Sequence, residues 1–242
     1  MREWLRGLLE LALPPSCAAC GAAVPASAVL CADCDARLPR LGLDVCPRCQ
    51  RPGTRGAPCA ACVASPSPLA ATCAAAAYAG DVESWIRRFK YPRAGWRGLD
   101  PAPLAVVRCL VREAARAAPG PPPARVVPVP LHPRRLRERG FNPSALLARC
   151  VARERGGRFD AGLLERVRDT PSQTGLDRRA RRANVRGAYR VRAGARSPSV
   201  VWLVDDVVTT GSTLAEAARA LRRAGAREVV AICIARTPDP LS

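Results

Sequence analysis

Aromatic side chains are scarce in this 242-residue chain, only 4% of the total. A buried core must therefore be built from alanine, valine, leucine and isoleucine, and extensive stacking of nucleobases on the surface is disfavoured. Lysine is nearly missing: of 39 basic residues every one but Lys90 is arginine. Histidine occurs once, as His132. Acidic residues are also few, 20 in all, so the formal net charge is +19. No apolar run reaches the ~18 residues that a membrane-spanning helix needs. Neither a G-x-x-x-x-G-K-[ST] loop nor a G-x-G-x-x-G fingerprint occurs, which removes two common ways of holding a nucleotide.

Enough remains for a folded protein. Hydrophobic residues make up 48%, and the length suits one ordinary domain plus a small one. Abundant arginine, alanine and proline fit a GC-rich coding bias. That bias explains arginine over lysine, not the excess of base over acid. The charge is concentrated: residues 131–200 hold 18 arginines against six acids, as either a solvated repulsive surface or an anion-binding face. The opening MREWLRGLLELALPP is interrupted by Glu10 and lacks a cleavage region, so it is not read as a signal peptide. Trp4, Leu5, Leu8, Leu9 and Leu11 predict one apolar face of a short helix that docks on the body; a membrane-surface role is the alternative.

Of 12 cysteines, eight form four C-x-x-C pairs: Cys17/Cys20, Cys31/Cys34, Cys46/Cys49 and Cys59/Cys62. Two thiolates on one tight turn clamp a metal, and two such turns complete a tetrahedral site, so eight ligands predict two Zn²⁺ ions. A disulfide framework is the competing reading, disfavoured because a two-residue gap suits a metal knuckle better than an unstrained bridge. Sequential pairing would join Cys17, Cys20, Cys31 and Cys34, then Cys46, Cys49, Cys59 and Cys62; a cross-braced module would take alternate pairs. The repeated unit favours the sequential arrangement. Four protein ligands leave no open position, so both sites read as structural, with metal supplying folding free energy to a segment poor in bulky apolar residues. Thiolate zinc sites point to the cytoplasm. Cys73, Cys109, Cys150 and Cys233 lie in apolar surroundings and are expected to be buried.

The Pro/Ser-rich run at 64–71 predicts a boundary between a module at 1–66 and a larger domain at 72–242. In the latter, Val200–Val204 is a continuous apolar run, as a strand buried on both faces requires. Asp205 and Asp206 follow, then Thr209-Thr210-Gly211-Ser212-Thr213, a helical pattern ending at Gly225, and a second apolar run at Val229–Ala235. In such a β-loop-α-β unit, ligands sit at the carboxyl ends of strands. The loop offers backbone N–H groups, hydroxyls and the positive end of a helix, a cradle for phosphate. Paired carboxylates suit a ribose diol and help to retain Mg²⁺. A purely structural strand-turn-helix is the plainer reading, but adjacent buried acids are costly without a ligand.

Val201–Thr213 resembles the signature of type I phosphoribosyltransferases: four apolar residues, two acids, two more apolar residues, then Thr-Thr-Gly-Ser-Thr. Val126–Ala148 with its Arg139-Gly140-Phe141-Asn142, the run Arg166, Thr170, Gln173 and Leu176, the run Arg182, Asn184, Gly187 and Ala188, and Tyr78, Gly80, Ile86 and Lys90-Tyr91 narrow the resemblance to the ComF family, as does the cysteine-rich start. Tyr189 stands where the family usually has phenylalanine, a conservative departure. The resemblance implies an α/β fold, a parallel sheet with flanking helices behind a double zinc ribbon. It also implies that Mg²⁺ and phosphoribosyl pyrophosphate (PRPP) bind, with Asp205 and Asp206 as catalytic residues on the ribose hydroxyls and Thr209–Thr213 on the 5′-phosphate. The family link to natural competence implies a cytoplasmic role in handling external single-stranded DNA beside competence helicase or uptake proteins. Three readings stand: a transferase with an unidentified acceptor, a PRPP-responsive regulator, and a DNA-binding factor that uses the fold as scaffold.

Other segments fit around that expectation. Val126–Val129 is a short strand broken by Pro128 and ended by Pro130, leading into His132, Arg134 and Arg135, whose place and charge suit pyrophosphate. A lone histidine is as readily structural. Arg139 is a candidate phosphate contact, Asn142 a helix cap with Pro143 behind it. Residues 166–190 carry Thr170, Gln173, Arg178, Arg181, Arg182 and Asn184 in a polar stretch, read either as a solvated loop or as a lid and DNA contact. Lys90, the surviving lysine, suggests a place needing a compact ammonium, within reach of pyrophosphate.

Overall fold

A computed structural model describes residues 15–42, 44–91, 100–170 and 178–238, without side-chain detail at 178, 179, 181 and 182. The expected N-terminal helix and Gln173 lie outside the described residues. Two short helices, α1 (Ala32–Ala36) and α2 (Ala60–Ala64), belong to the cysteine-rich segment. Then come β1 (Ala71–Ala77), α3 (Gly80–Lys90), α4 (Pro101–Ala117), β2 (Arg125–Pro128), α5 (Pro133–Arg139), α6 (Pro143–Arg155), β3 (Arg158–Phe159) and β4 (Leu164–Arg166). The chain continues through α7 (Arg178–Val185), β5 (Tyr189–Val191), β6 (Val200–Val204), β7 (Val207–Val208), α8 (Ser212–Arg223) and β8 (Glu228–Arg236).

The main sheet runs β1-β8-β6-β2-β3, with β7 also pairing β8, and every pairing in it is parallel. A parallel sheet needs both faces covered, which is why β6 and β8 read as unbroken apolar runs. On one face α3, α4 and α6 bury Ile86, Phe89, Leu110 and Leu147; on the other α8 buries Leu214, Ala217 and Leu221. The antiparallel pair β4–β5 joins that second face through Leu164 and Tyr189. As the shortage of aromatics requires, alanine does much of the packing: β1 is ATCAAAA, and it is buried over six of its seven residues.

Chain direction creates the crevice. From β2 the chain crosses through α6 to β3; from β6 it crosses through α8 to β8, the opposite way along the sheet. The carboxyl ends of β2 and β6 therefore diverge at a topological switch point, where α/β proteins hold ligands. Pro128 is tolerated in this inner strand for a local reason. Val129 N–H donates to the Val204 carbonyl on β6, so alternation turns position 128 towards the β3 side, where pairing has already stopped at Val126.

The cysteine-rich segment is attached to the sheet's outer edge. Pro39–Leu41 runs antiparallel beside β1, with Leu41 N–H donating to Ala75 and Ala77 N–H to Pro39. Gln50 places its side-chain amide on the main chain of Ala74, accepting from the N–H and donating to the carbonyl. Arg236 Nη1 donates to the Cys49 carbonyl at 2.6 Å. Two sequence expectations need correction. Cys109 is exposed on α4, whereas Cys73, Cys150 and Cys233 are buried. The solvated-loop alternative for residues 166–190 holds only in part: Arg178–Val185 form α7, while β4 and β5 reach the stretch only at its ends, at Arg166 and Tyr189–Arg190.

Candidate functional site

The cysteines group sequentially. The sulfurs of Cys17, Cys20, Cys31 and Cys34 lie within 4.8 Å of one another, and so do those of Cys46, Cys49, Cys59 and Cys62. Tetrahedral zinc at Zn–S of ~2.3 Å sets sulfurs about 3.8 Å apart. Cys20 and Cys31 are 3.7 Å apart, and Cys49 and Cys59 3.6 Å. Desolvation opposes ionisation of Cys17 and Cys46, but N–H groups of the surrounding turns outweigh it and draw both thiols down to about 6. Arg37 Nη2 donates to Cys34 Sγ at 3.1 Å. Four soft ligands at tetrahedral spacing fit Zn²⁺ at both sites.

At the crevice, Asp205 and Asp206 directly follow β6. Asp205 Oδ1 accepts the Ser144 hydroxyl at 2.9 Å and the Asp206 N–H at 3.0 Å. Ser144 is held there because Asn142 caps α6, accepting the Ser144 N–H at 3.1 Å while its own amide donates to the Val129 carbonyl at 3.0 Å. Asp206 Oδ1 receives the Val207 N–H at 2.7 Å and the Lys90 ammonium at 2.8 Å, presented by the end of α3. Burial and the neighbouring negative Asp206 push the Asp205 carboxyl up to about 7, against the opposing pull of Lys90 and Ser144. For Lys90, burial lowers the ammonium's affinity for its proton, but Asp206 outweighs it and the net shift is upward.

Beyond the acids the chain turns into α8 through Gly211, whose φ of 75° is left-handed. Thr210 Oγ1 and Ser212 Oγ share a hydrogen bond of 2.8 Å. Thr209, Thr210, Gly211 and Thr213 are half-buried and Ser212 is buried. Gly211 at the N-cap has no side chain to cap α8, and Thr210 Oγ1 accepts the Ser212 N–H at 3.4 Å.

Other expected residues fall elsewhere. His132 caps α5, its Nδ1 accepting from Arg134 N–H at 3.4 Å and lying 3.5 Å from Asp169. Arg134 is exposed and pairs with Glu138 at 3.0 Å and Asp169 at 3.5 Å, and Arg135 is exposed beside it. Arg139 sits over Tyr91, 4.6 Å from the ring centre, and donates to its hydroxyl at 2.9 Å. Thr170 is buried and accepts from Arg166 at 2.6 Å. Arg178, Arg181, Arg182 and Asn184 lie on α7. Sequence reasoning missed Ser144, the Tyr91 support for Arg139, and Glu216, a buried acid that accepts from Gly187 N–H at 2.9 Å. The signal for Glu216 was present, an acid within the apolar stripe of α8.

Comparison with known proteins agrees with this architecture. Residues 8–63 match the double zinc ribbon domain and residues 193–241 the phosphoribosyl transferase domain. The DNA utilization protein YhgH of Salmonella typhi is 36% identical over 212 residues, covering 86% of this chain and 90% of that protein. Competence protein F of Haemophilus influenzae is 33% identical over 153 residues, covering 62% and 66%. Among solved structures, the B. subtilis glutamine PRPP amidotransferase aligns at 22% identity and a TM-score of 0.41, over 62% of this chain and 30% of that one. With two four-cysteine clusters, matches to the double zinc ribbon and phosphoribosyl transferase domains, and a relative 36% identical over most of both chains, the chain belongs to the ComF family.

Proposed function

We propose that the crevice binds Mg²⁺ and PRPP, and that the chain serves the handling of external DNA in the cytoplasm. The observation that carries this reading is the adjacency of Asp205 and Asp206, at the end of β6, to a hydroxyl-rich turn opening a helix. The carboxylates would take the ribose hydroxyls, with Ser144 and Lys90 fixing their orientation. Thr209, Thr210, Gly211, Ser212 and Thr213 would cradle the 5′-phosphate through hydroxyls, N–H groups and the helix end. His132, Arg134 and Arg135, following β2 across the switch point, would face the pyrophosphate. Bound Mg²⁺ would neutralise charge on the departing pyrophosphate. In a transferase reaction the C1–oxygen bond to pyrophosphate breaks and an acceptor's nucleophile takes its place at C1. Closure of the 166–190 segment, with Thr170, Gln173 and the α7 arginines, would then exclude water.

Calorimetric titration of Mg²⁺·PRPP into zinc-loaded protein, beside an Asp205→Asn/Asp206→Asn variant, tests the site. Saturable binding that the variant loses supports it; no binding to the folded wild type refutes it. Pyrophosphate release in the presence of acceptor candidates then separates a transferase from a PRPP-responsive regulator.

A further inference from the structure

A cleft of about 520 Å³ lies between α8 and the second ribbon, reaching from the phosphate loop at Thr210–Ser212 to Arg223. Six arginines line it from separate elements: Arg48 and Arg51 on the ribbon, Arg186 behind α7, Arg219 and Arg223 on α8, and Arg236 at the end of β8. The one carboxylate among the described lining residues, Glu216, is already engaged by Gly187 N–H at 2.9 Å and Arg219 at 2.8 Å. Arg236 on the Cys49 carbonyl and Arg222 on the Pro68 carbonyl hold the ribbon wall and the following segment in place. Arg48, Arg186 and Arg223 are exposed and make no ion pair among the described residues.

A concave wall with this excess of guanidinium groups focuses positive potential, and their mutual repulsion is relieved by an anion. The spread of charge indicates which kind. The 12 residues of α8 extend the cleft over about 18 Å at ~1.5 Å per residue. One small phosphate would meet one or two of the exposed arginines; a chain of phosphates can reach Arg48, Arg186 and Arg223 in turn. Among the described residues no aromatic side chain lines the cleft, so contacts would fall on the backbone and not on stacked bases.

We propose that this cleft seats the sugar–phosphate backbone of a single-stranded polynucleotide, delivered along α8 towards the phosphate loop. The proposal rests on the DNA-handling reading of the family for its ligand, but not on PRPP at the acidic pair. The test is fluorescence anisotropy of a labelled oligothymidylate of roughly 20 nucleotides, long enough for ordinary single-strand site sizes, with the full zinc-loaded chain across a salt series. Arg48→Gln/Arg223→Gln is expected to bind at least ~10-fold more weakly, with a log–log salt slope shallower by about 1.4, ~0.7 for each lost phosphate contact. Arg112→Gln/Arg153→Gln removes the same charge from α4 and α6 on the opposite face and is expected to stay within about twofold of wild type. All four positions are exposed, and zinc content and circular dichroism confirm that each variant is folded. Equal losses in the two variants, or an unaffected cleft variant, overturn the proposal in favour of diffuse charge or another surface. Displacement of the oligonucleotide by thymidine monophosphate at equal nucleotide concentration overturns it in favour of a small-ligand site. Selective loss in the cleft variant alongside a blank PRPP titration would remove the PRPP reading and leave this one standing.

Discussion

At the scale of single residues the crevice is a chain of compensations. Two adjacent carboxylates at a buried strand end repel each other and lose hydration, and the structure offsets this with one ammonium, one hydroxyl and two N–H groups. Lys90→Met would leave Asp206 nearly buried and unpaired, a loss of about 3 kcal/mol in urea unfolding. Lys90→Met/Asp206→Asn should be more stable than Lys90→Met alone, the coupling expected of a contacting pair. The Asp205 shift gives a signed pH dependence. Its carboxyl binds a proton in the folded chain up to about pH 7 but releases it near 4 when unfolded, so the folded state gains stability at low pH and loses it as pH rises through about 7. Relative to Asp205→Asn, wild-type Tm should therefore fall from about pH 4 to about pH 7 and level off above it. PRPP affinity, which needs the ionised acid, should rise over the same interval by up to about tenfold per unit below pH 7 in wild type only. The acids were legible in the sequence because they stand side by side. Lys90 was legible as a site residue, but it was aimed at pyrophosphate and not at Asp206, and Ser144 was not legible, because both reach the acids from other helices across long stretches of chain.

The elements show why some local signals translate directly into structure. The turn into α8 is contiguous, so strand, acids, hydroxyls and helix could be read in one pass. So could the Asn142 cap with Pro143 behind it. Gly211 makes this testable. A Cβ there would lie 3.9 Å from Val208 Cγ2, an ordinary contact, so the glycine answers to its left-handed φ rather than to crowding. Gly211→Ala should cost about 1–2 kcal/mol and weaken PRPP binding roughly tenfold in the same titration. Gly211→Asn, a residue that tolerates this conformation, should cost less; equal effects would show that space, not torsion, is limiting. The solvated-loop reading of residues 166–190 failed in part for a physical reason: among its described side chains α7 buries only Val185, too little for a helical period to show in sequence, and it packs on α8.

Across the whole molecule the zinc module has a structural task that its spacing alone did not reveal. A parallel sheet ends in an unpaired strand, and here that strand is β1, whose backbone groups are met by Pro39–Leu41 and by the Gln50 amide. An uncovered apolar edge is a template for association with other chains. Small four-cysteine modules generally draw their folding free energy from the metal, so removing zinc is expected to uncover the edge. Two zinc ions per chain are expected by native mass spectrometry. Their removal by a strong chelator should convert the monodisperse protein to larger species by light scattering while the far-ultraviolet signature of the α/β body persists. Cys46→Ser should do the same through the second ribbon, and more severely than Cys20→Ser in the first, because Gln50 and the Cys49 carbonyl belong to the second site's own turn. A chelated protein that stays monodisperse would mean that Pro39–Leu41 holds the edge without the metal, and that the arginine wall of the cleft survives its loss too.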